Sequence, residues 1–127
     1  MPKPKNTRLS VFKGREAKLN RAIFQTLALK GPQTIYDIHK QIRTQRGLKH
    51  AKYASVNKRV RSLEESGYIK RSGVRRTKAG FDAVIFGLLP RAYLAMLFDF
   101  TSLEDLVCML DEESISAILT IVLDALR

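Results

Sequence analysis

Ser55, Asn57, Lys58 and Arg61 fall within seven residues of one another, and at about 100° per residue a helix gathers them on one side. Asn, Lys and Arg carry the donors that read adenine and guanine edges, and small neighbours such as Ala54 and Ser55 let a helix approach bases closely. Residue type alone does not separate contacts to bases from contacts to phosphates, so these four are candidates for either. Lys49 and Lys52, just ahead of them, extend the set of candidate DNA contacts. Elsewhere the chemistry is sparse. His39 and His50 have no Cys or carboxylate at metal-ligand spacing, so neither a metal site nor a cofactor is expected. Without a Gly-rich phosphate loop or a nucleophile motif, an enzyme is not expected either. His39 is expected to face solvent or a phosphate, and His50 suits a phosphate neighbour and a plain surface position equally.

Charge gives these residues a setting. The 127-residue chain carries 23 Lys and Arg against 12 Asp and Glu, a formal net charge of +11. The excess is segregated: residues 1–80 hold 21 basic and 4 acidic groups, a net +17, and residues 81–127 hold 2 and 8, a net −6. Such a basic face repels itself unless a polyanion offsets it, so nucleic acid is the leading partner. Between Asp37 and Glu64 there is no acid at all. A plainly solvated helix face would mix signs; the competing reading is that Arg59 and Arg61 pair with Glu64 and Glu65, for only ~0.2–0.5 kcal/mol each.

The elements that must position these groups are legible from apolar spacing. Leu19, Ala22, Ile23 and Leu27 predict a helix over 16–30 ended by Gly31-Pro32. Thr34 is an N-cap candidate for a short helix through Ile35, Ile38 and Ile42, with Asp37 in its first turn. A third helix is expected over 51–66, its stripe Tyr53, Val56, Val60 and Leu63, with Gly67 at its C-terminal end. Residues 68–71 and 74–76 read as two short strands turning at Ser72-Gly73. Arg71, Arg75 and Arg76 flank that turn and are candidate phosphate contacts; edge protection would need fewer charges. Residues 1–15, with Lys3, Lys5, Arg8, Lys13 and Arg15, read as a basic arm that adds little to the core.

Helix, helix, helix and a basic hairpin within about 60 residues is the plan of a winged helix-turn-helix. Leu29-Lys30-Gly31-Pro32, Tyr36-Asp37-Ile38, and Ser55-Val56-Asn57-Lys58 running into Leu63-Glu64-Glu65-Ser66-Gly67-Tyr68-Ile69 resemble the PadR-like and MarR-like transcriptional regulators over residues 16–80. The resemblance implies that the third helix, Ala51 to Ser62, enters a major groove. It also implies that the wing, Lys70 to Arg76, lies along a minor groove or the backbone. With seven residues between Ile69 and Thr77 the wing is short for a PadR-like protein, which suits phosphates.

Beyond the wing, Thr77 is expected to cap a helix running through Phe81, Val84, Ile85 and Leu88, apolar nearly all round over residues 81–89, and Pro90 to open another carrying Tyr93, Leu94, Met96 and Leu97. Ser102 and Asp111 read as two further N-caps, the last helix running through Ile115, Ile118, Leu119, Val122 and Leu126. Phe81, Ile85, Leu88, Ile115, Leu119 and Val122 are therefore candidates for a two-fold dimer interface, which would set two recognition helices on successive major grooves. Tyr93, Met96, Phe98, Phe100, Cys108 and Met109 could line an effector pocket, but Met and aromatics at helical spacing are more often core, and no effector is supported. Cys108, among apolar neighbours, is expected to be buried and inert.

The expected fold class is mostly α with a small two-stranded β-hairpin: a basic arm (1–15), a winged helix-turn-helix (16–80) and a helical dimerisation or interaction region (81–127). One cysteine, no signal-like run and no sufficiently long apolar span point to a cytoplasmic, nucleoid-associated protein without a membrane partner. The function expected is a homodimeric, sequence-specific regulator of transcription acting on double-stranded DNA. The alternative is a winged-helix protein-interaction module, or an architectural module that binds nucleic acid without sequence preference.

Overall fold

Three helices form where the apolar spacing places them. In the computed structural model, which describes residues 10–100 and 103–127, α1 spans Ala17–Lys30, α2 Ile35–Ile42 and α3 Tyr53–Glu65. Thr34 is the N-cap of α2: its hydroxyl accepts from the Asp37 backbone N–H at 3.1 Å. α3 ends in a Schellman motif, in which Tyr68 N–H donates to Leu63 O (2.9 Å) and Gly67 N–H to Glu64 O (3.1 Å). Ile23, Phe24 and Leu27 of α1, Ile38 and Ile42 of α2, and Val56, Val60 and Leu63 of α3 are buried against one another. Tyr53, expected in the α3 stripe, is instead half exposed at 47%. It lies one turn before Val56, beyond the end of the three-helix core.

The wing is longer than its sequence suggested. β1 (Ile69–Arg76) pairs antiparallel with β2 (Asp82–Leu88), from Ile69↔Leu88 to Arg76↔Asp82. Ser72-Gly73 is not the turn; the register shifts between Arg71 and Gly73, a bulge inside β1. The turn lies at residues 77–81, where Thr77 N–H donates to Phe81 O (2.7 Å), Gly80 N–H to Thr77 O (3.0 Å), and Phe81 N–H to the Thr77 hydroxyl (3.2 Å). Gly80, at φ 85°, supplies the left-handed residue that this closure requires. Thr77 thus caps a turn, and the helix expected through Phe81, Val84, Ile85 and Leu88 does not form. A short apolar run is equally compatible with a buried strand, and here Val84 and Ile85 are β-branched and β1 offers a ladder.

Phe86, buried at 2%, closes the assembly. Its N–H donates to Gln33 O (2.8 Å) and its carbonyl accepts from Gln33 N–H (3.0 Å), an isolated antiparallel bridge that fastens β2 to the residue preceding the α2 cap. Ile69 and Phe86 join the helical core from the hairpin side. The expected arm also contributes to it. Residues 1–9 lie outside the described residues, but Ser10–Phe12 form a 3-10 turn in which Val11 and Phe12 are buried. Phe12 meets the Phe24 ring edge-on, 5.3 Å between centroids, and the buried Asn20 Nδ2 donates to Val11 O at 2.8 Å.

Three helices follow: α4 (Pro90–Phe100), α5 (Leu103–Met109) and α6 (Glu112–Leu126). Pro90 opens α4, as its missing N–H favours, and Ala92 and Ala95 bury α4 against the wing and α1. The expected Ser102 cap lies outside the described residues. The Asp111 cap is present, with Ser114 N–H donating to Oδ1 at 2.7 Å. That bond holds the Asp111 carboxyl below its ordinary pKa, so the cap's contribution is complete above the ordinary carboxylate value and is lost as pH falls through the depressed one. α6 buries no residue. Cys108 is exposed, not buried as expected, on a side of α5 where Val107 and Met109 are exposed too.

The fold is a winged helix-turn-helix with a helical extension, and among the described residues no helix is long and apolar enough to cross a membrane. Ile38→Ala, at a fully buried position, is expected to cost about 2–5 kcal/mol in urea denaturation. Thr34→Ala, which removes only the cap, should cost about 1 kcal/mol.

Candidate nucleic-acid interface

Burial of Val56, Val60 and Leu63 leaves the other side of α3 in solvent, and Ala54, Ser55, Lys58 and Arg61 are exposed there with Asn57 at the half-buried edge. Arg61 Nε donates to Asn57 Oδ1 at 3.3 Å, one turn back. Neither arginine of α3 pairs with Glu64 or Glu65. Arg59 turns toward α1 and lies 3.9 Å from Glu16, whereas Glu64 accepts from Arg71 of the wing at 3.0 Å. Among the described residues Lys49, Lys52 and Lys58 form no ion pair, and all three are exposed.

The segment between α2 and α3 is ten residues long, and side chains brace it. Arg43 Nε donates to Lys49 O at 3.2 Å. His39 Nε2 lies 2.7 Å from Ala51 O; a carbonyl only accepts, so Nε2 carries the proton. The Tyr53 ring stands edge-on to His39, 5.7 Å between centroids. His39 is therefore a brace that fixes where α3 begins, not the solvent- or phosphate-facing group its sequence position suggested. His50 is exposed.

Between α2, α3 and the hairpin runs a cleft of about 880 Å³ that brings Arg61 of α3 together with Arg75, Arg76 and Lys78 of the wing. Tyr36, Lys40 and Tyr53 share it, and the sequence reading missed all three as site residues. A signal for two of them existed: with Ile35, Ile38 and Ile42 turned inward, Tyr36 and Lys40 fall four apart on the outer side of α2. Arg75 reaching Asp37, 38 residues away in sequence, had no local signal.

All three wing arginines hold acids: Arg71 with Glu64, Arg75 with Asp37, and Arg76 with Asp82 at 3.7 Å. These are exposed pairs, worth about 0–1 kcal/mol each and weakened by salt, so a phosphate can displace the carboxylates at little cost. Arg71 also lies over the Phe86 ring, 5.9 Å from its centroid, which keeps its guanidinium beside the bulge.

Of the expected pocket residues, Tyr93 and Met96 line a cavity of about 280 Å³ with Phe12, Phe24 and Leu97. Arg21, beside them, donates to both Asp99 oxygens at 2.7 and 3.0 Å, and these hydrogen bonds hold its pKa above the ordinary value. Phe98, Cys108 and Met109 are exposed away from that cavity, and the Phe100 side chain lies outside the description. Of the expected interface residues, Leu119 and Val122 are exposed and Ile115 half-buried on α6. Phe81, Ile85 and Leu88 belong to the hairpin instead, because the helix meant to carry them is a strand and its turn.

No family model and no characterised protein sequence matches the chain. Among solved structures it is similar to TA0346 of Thermoplasma acidophilum, provisionally assigned as a transcriptional regulator. The identity is 15% over 72% of this chain and 94% of that one, with a TM-score of 0.47. It is also similar to a mutant of ZitR from Lactococcus lactis, at 17% identity over 91% and 80% of the two chains, with a TM-score of 0.44.

Asp37→Asn is expected to leave stability within about 1 kcal/mol of the parent, since the pair it breaks is exposed. It should strengthen binding to a mixed-sequence DNA duplex several-fold by freeing Arg75. Thermal melts and fluorescence anisotropy check the two halves, and weaker binding would contradict a cationic wing held in reserve.

Proposed function

We propose that the protein is a homodimeric, sequence-specific regulator of transcription that binds double-stranded DNA. The observation that carries this reading is the cleft in which Arg61 of α3 meets Arg75, Arg76 and Lys78 of the wing, with Ser55, Asn57 and Lys58 on the exposed side of α3 outside it. In this reading α3 enters a major groove, where Ser55, Asn57, Lys58 and Arg61 meet base edges or adjacent phosphates. Lys49 and Lys52, at the start of α3, and Arg71, Arg75 and Arg76 on the wing neutralise backbone phosphates, releasing counterions and supplying most of the affinity. Residues 16–88 form the DNA-binding unit, eight residues more than the sequence suggested, because β2 completes the wing. The protein works in the cytoplasm on the nucleoid.

The helical tail, from α4 onward, supplies the dimer contact. Ile115, Leu119 and Val122 recur at four- and three-residue steps, a stripe that a symmetric partner helix would cover. Ile118, Ile121, Leu123 and Leu126 widen it, all exposed in the single chain. Monomeric proteins rarely leave so much contiguous apolar surface in water.

Selection from a random pool of duplex DNA at near-physiological salt tests the reading, and an enriched two-fold motif is the expected result. Retention without a motif would favour an architectural role, and no retention a protein-interaction module. Lys58→Ala with Arg61→Ala should weaken binding to the selected site by about 1–3 kcal/mol for each base that is no longer read, and binding to random duplex by less. Leu119→Glu should halve the mass in sedimentation equilibrium and weaken site binding with it; unchanged mass would remove α6 from the interface.

A further inference from the structure

A phenylalanine stands at the tip of the wing. Phe81 is 72% exposed, in a turn closed by three hydrogen bonds, and turns ordinarily take Gly, Pro, Asn, Asp or Ser. We propose that Phe81 is an apolar wedge that enters the minor groove of duplex DNA and kinks it. The proposal rests on the DNA-binding reading above and adds to it a deformation of the DNA and the residue responsible.

Three features of the tip support this. First, Thr77, Lys78 and Ala79 line the same cleft as Tyr53 and Arg61, so the tip and the recognition helix address one ligand from one side of the molecule. A duplex with its major groove on α3 then presents an adjacent minor groove to the wing. Second, the tip is thin and its backbone is closed by hydrogen bonds. Ala79 and Gly80 add almost no bulk, which suits a groove only about 6 Å wide, and the bonds from Thr77 to Phe81 fix the backbone at the aromatic residue. Third, Arg76 and Lys78 flank it, both exposed; Arg76 is shared with the adjacent Asp82 in a loose pair of 3.7 Å, Lys78 forms no ion pair among the described residues, and cations beside an apolar side chain suit a groove walled by phosphates.

The competing role for Phe81, packing in a dimer interface, has lost its geometry. β2 separates it from the root of the tail at Pro90 by seven strand residues, or about 23 Å at roughly 3.3 Å per residue. Nor does Phe81 belong to the core, which Val84 and Phe86 reach from the same strand.

The test uses the full-length protein and a mixed-sequence 30-base-pair duplex carrying a fluorescence donor and acceptor at its ends, at low salt. The parent protein should shorten the end-to-end distance. Phe81→Ala should bind about tenfold more weakly and leave the duplex near its free length, while Phe81→Leu retains most of the bend. The slope of affinity against salt should stay the same in both variants, because no charge is removed. Bending and affinity unchanged in Phe81→Ala would overturn the wedge, as would a lower sedimentation mass, which would return Phe81 to an interface. A parent protein that binds the duplex without bending it overturns the wedge alone. A parent that binds no duplex overturns the DNA-binding reading and the wedge together.

Discussion

The backbone exchange between Phe86 and Gln33 is the constraint on which the basic surface depends. A two-stranded hairpin alone is marginally stable in water and has no preferred direction relative to the helices before it. Here the inner strand is paired on its far side to the residue preceding the α2 cap, and the Phe86 side chain is sunk into the three-helix core. The wing is thereby set against the N-terminus of α2, with Arg75 within reach of Asp37 and the cleft to α3 defined. Together with the Ile69 and Phe86 side chains in the core, that bridge fixes where the arginines of the cleft stand.

Electrostatics then decides how the surface behaves before it meets a ligand. A face with so many cations repels itself, and the few acids of the first 80 residues are used against that repulsion: Glu16 toward Arg59, Asp37 with Arg75, Glu64 with Arg71. Each of these pairs ties two elements together, α1 to α3, α2 to the wing, and α3 to the wing. Exposed as they are, they contribute little to stability and are screened by salt. Among the described residues Lys49, Lys52 and Lys58 make no such pair.

Much of this was legible in the residues themselves. The three helices with their apolar stripes, the Thr34 and Asp111 caps and the Schellman end of α3 follow from spacing, from side chains that bond the neighbouring backbone, and from the glycine at position 67. These are local effects, independent of what the chain packs against. The outer side of α3 was legible for the same reason, since naming Val56, Val60 and Leu63 as inward fixes what remains outward. Residues 81–89 were not legible as a strand. A continuous apolar run has no period to distinguish helix from strand, and the choice was made by a partner strand and by Gln33, neither adjacent to it in sequence. The longer wing, the turn at Thr77 and the exposed Phe81 all follow from that choice.

By itself, then, the sequence determined a basic winged helix-turn-helix, the exposed face of its third helix and an acidic, apolar tail, because amphipathic period, capping and net charge act over a few residues or need no geometry at all. Tertiary structure decided which wing residues face the cleft, that His39 braces α3, that Val11 and Phe12 complete the core, and that Cys108 stays outside it. Each of those outcomes depends on two segments distant in the chain arriving at one place. Such a meeting is set by the packing of the whole, not by the composition of either part.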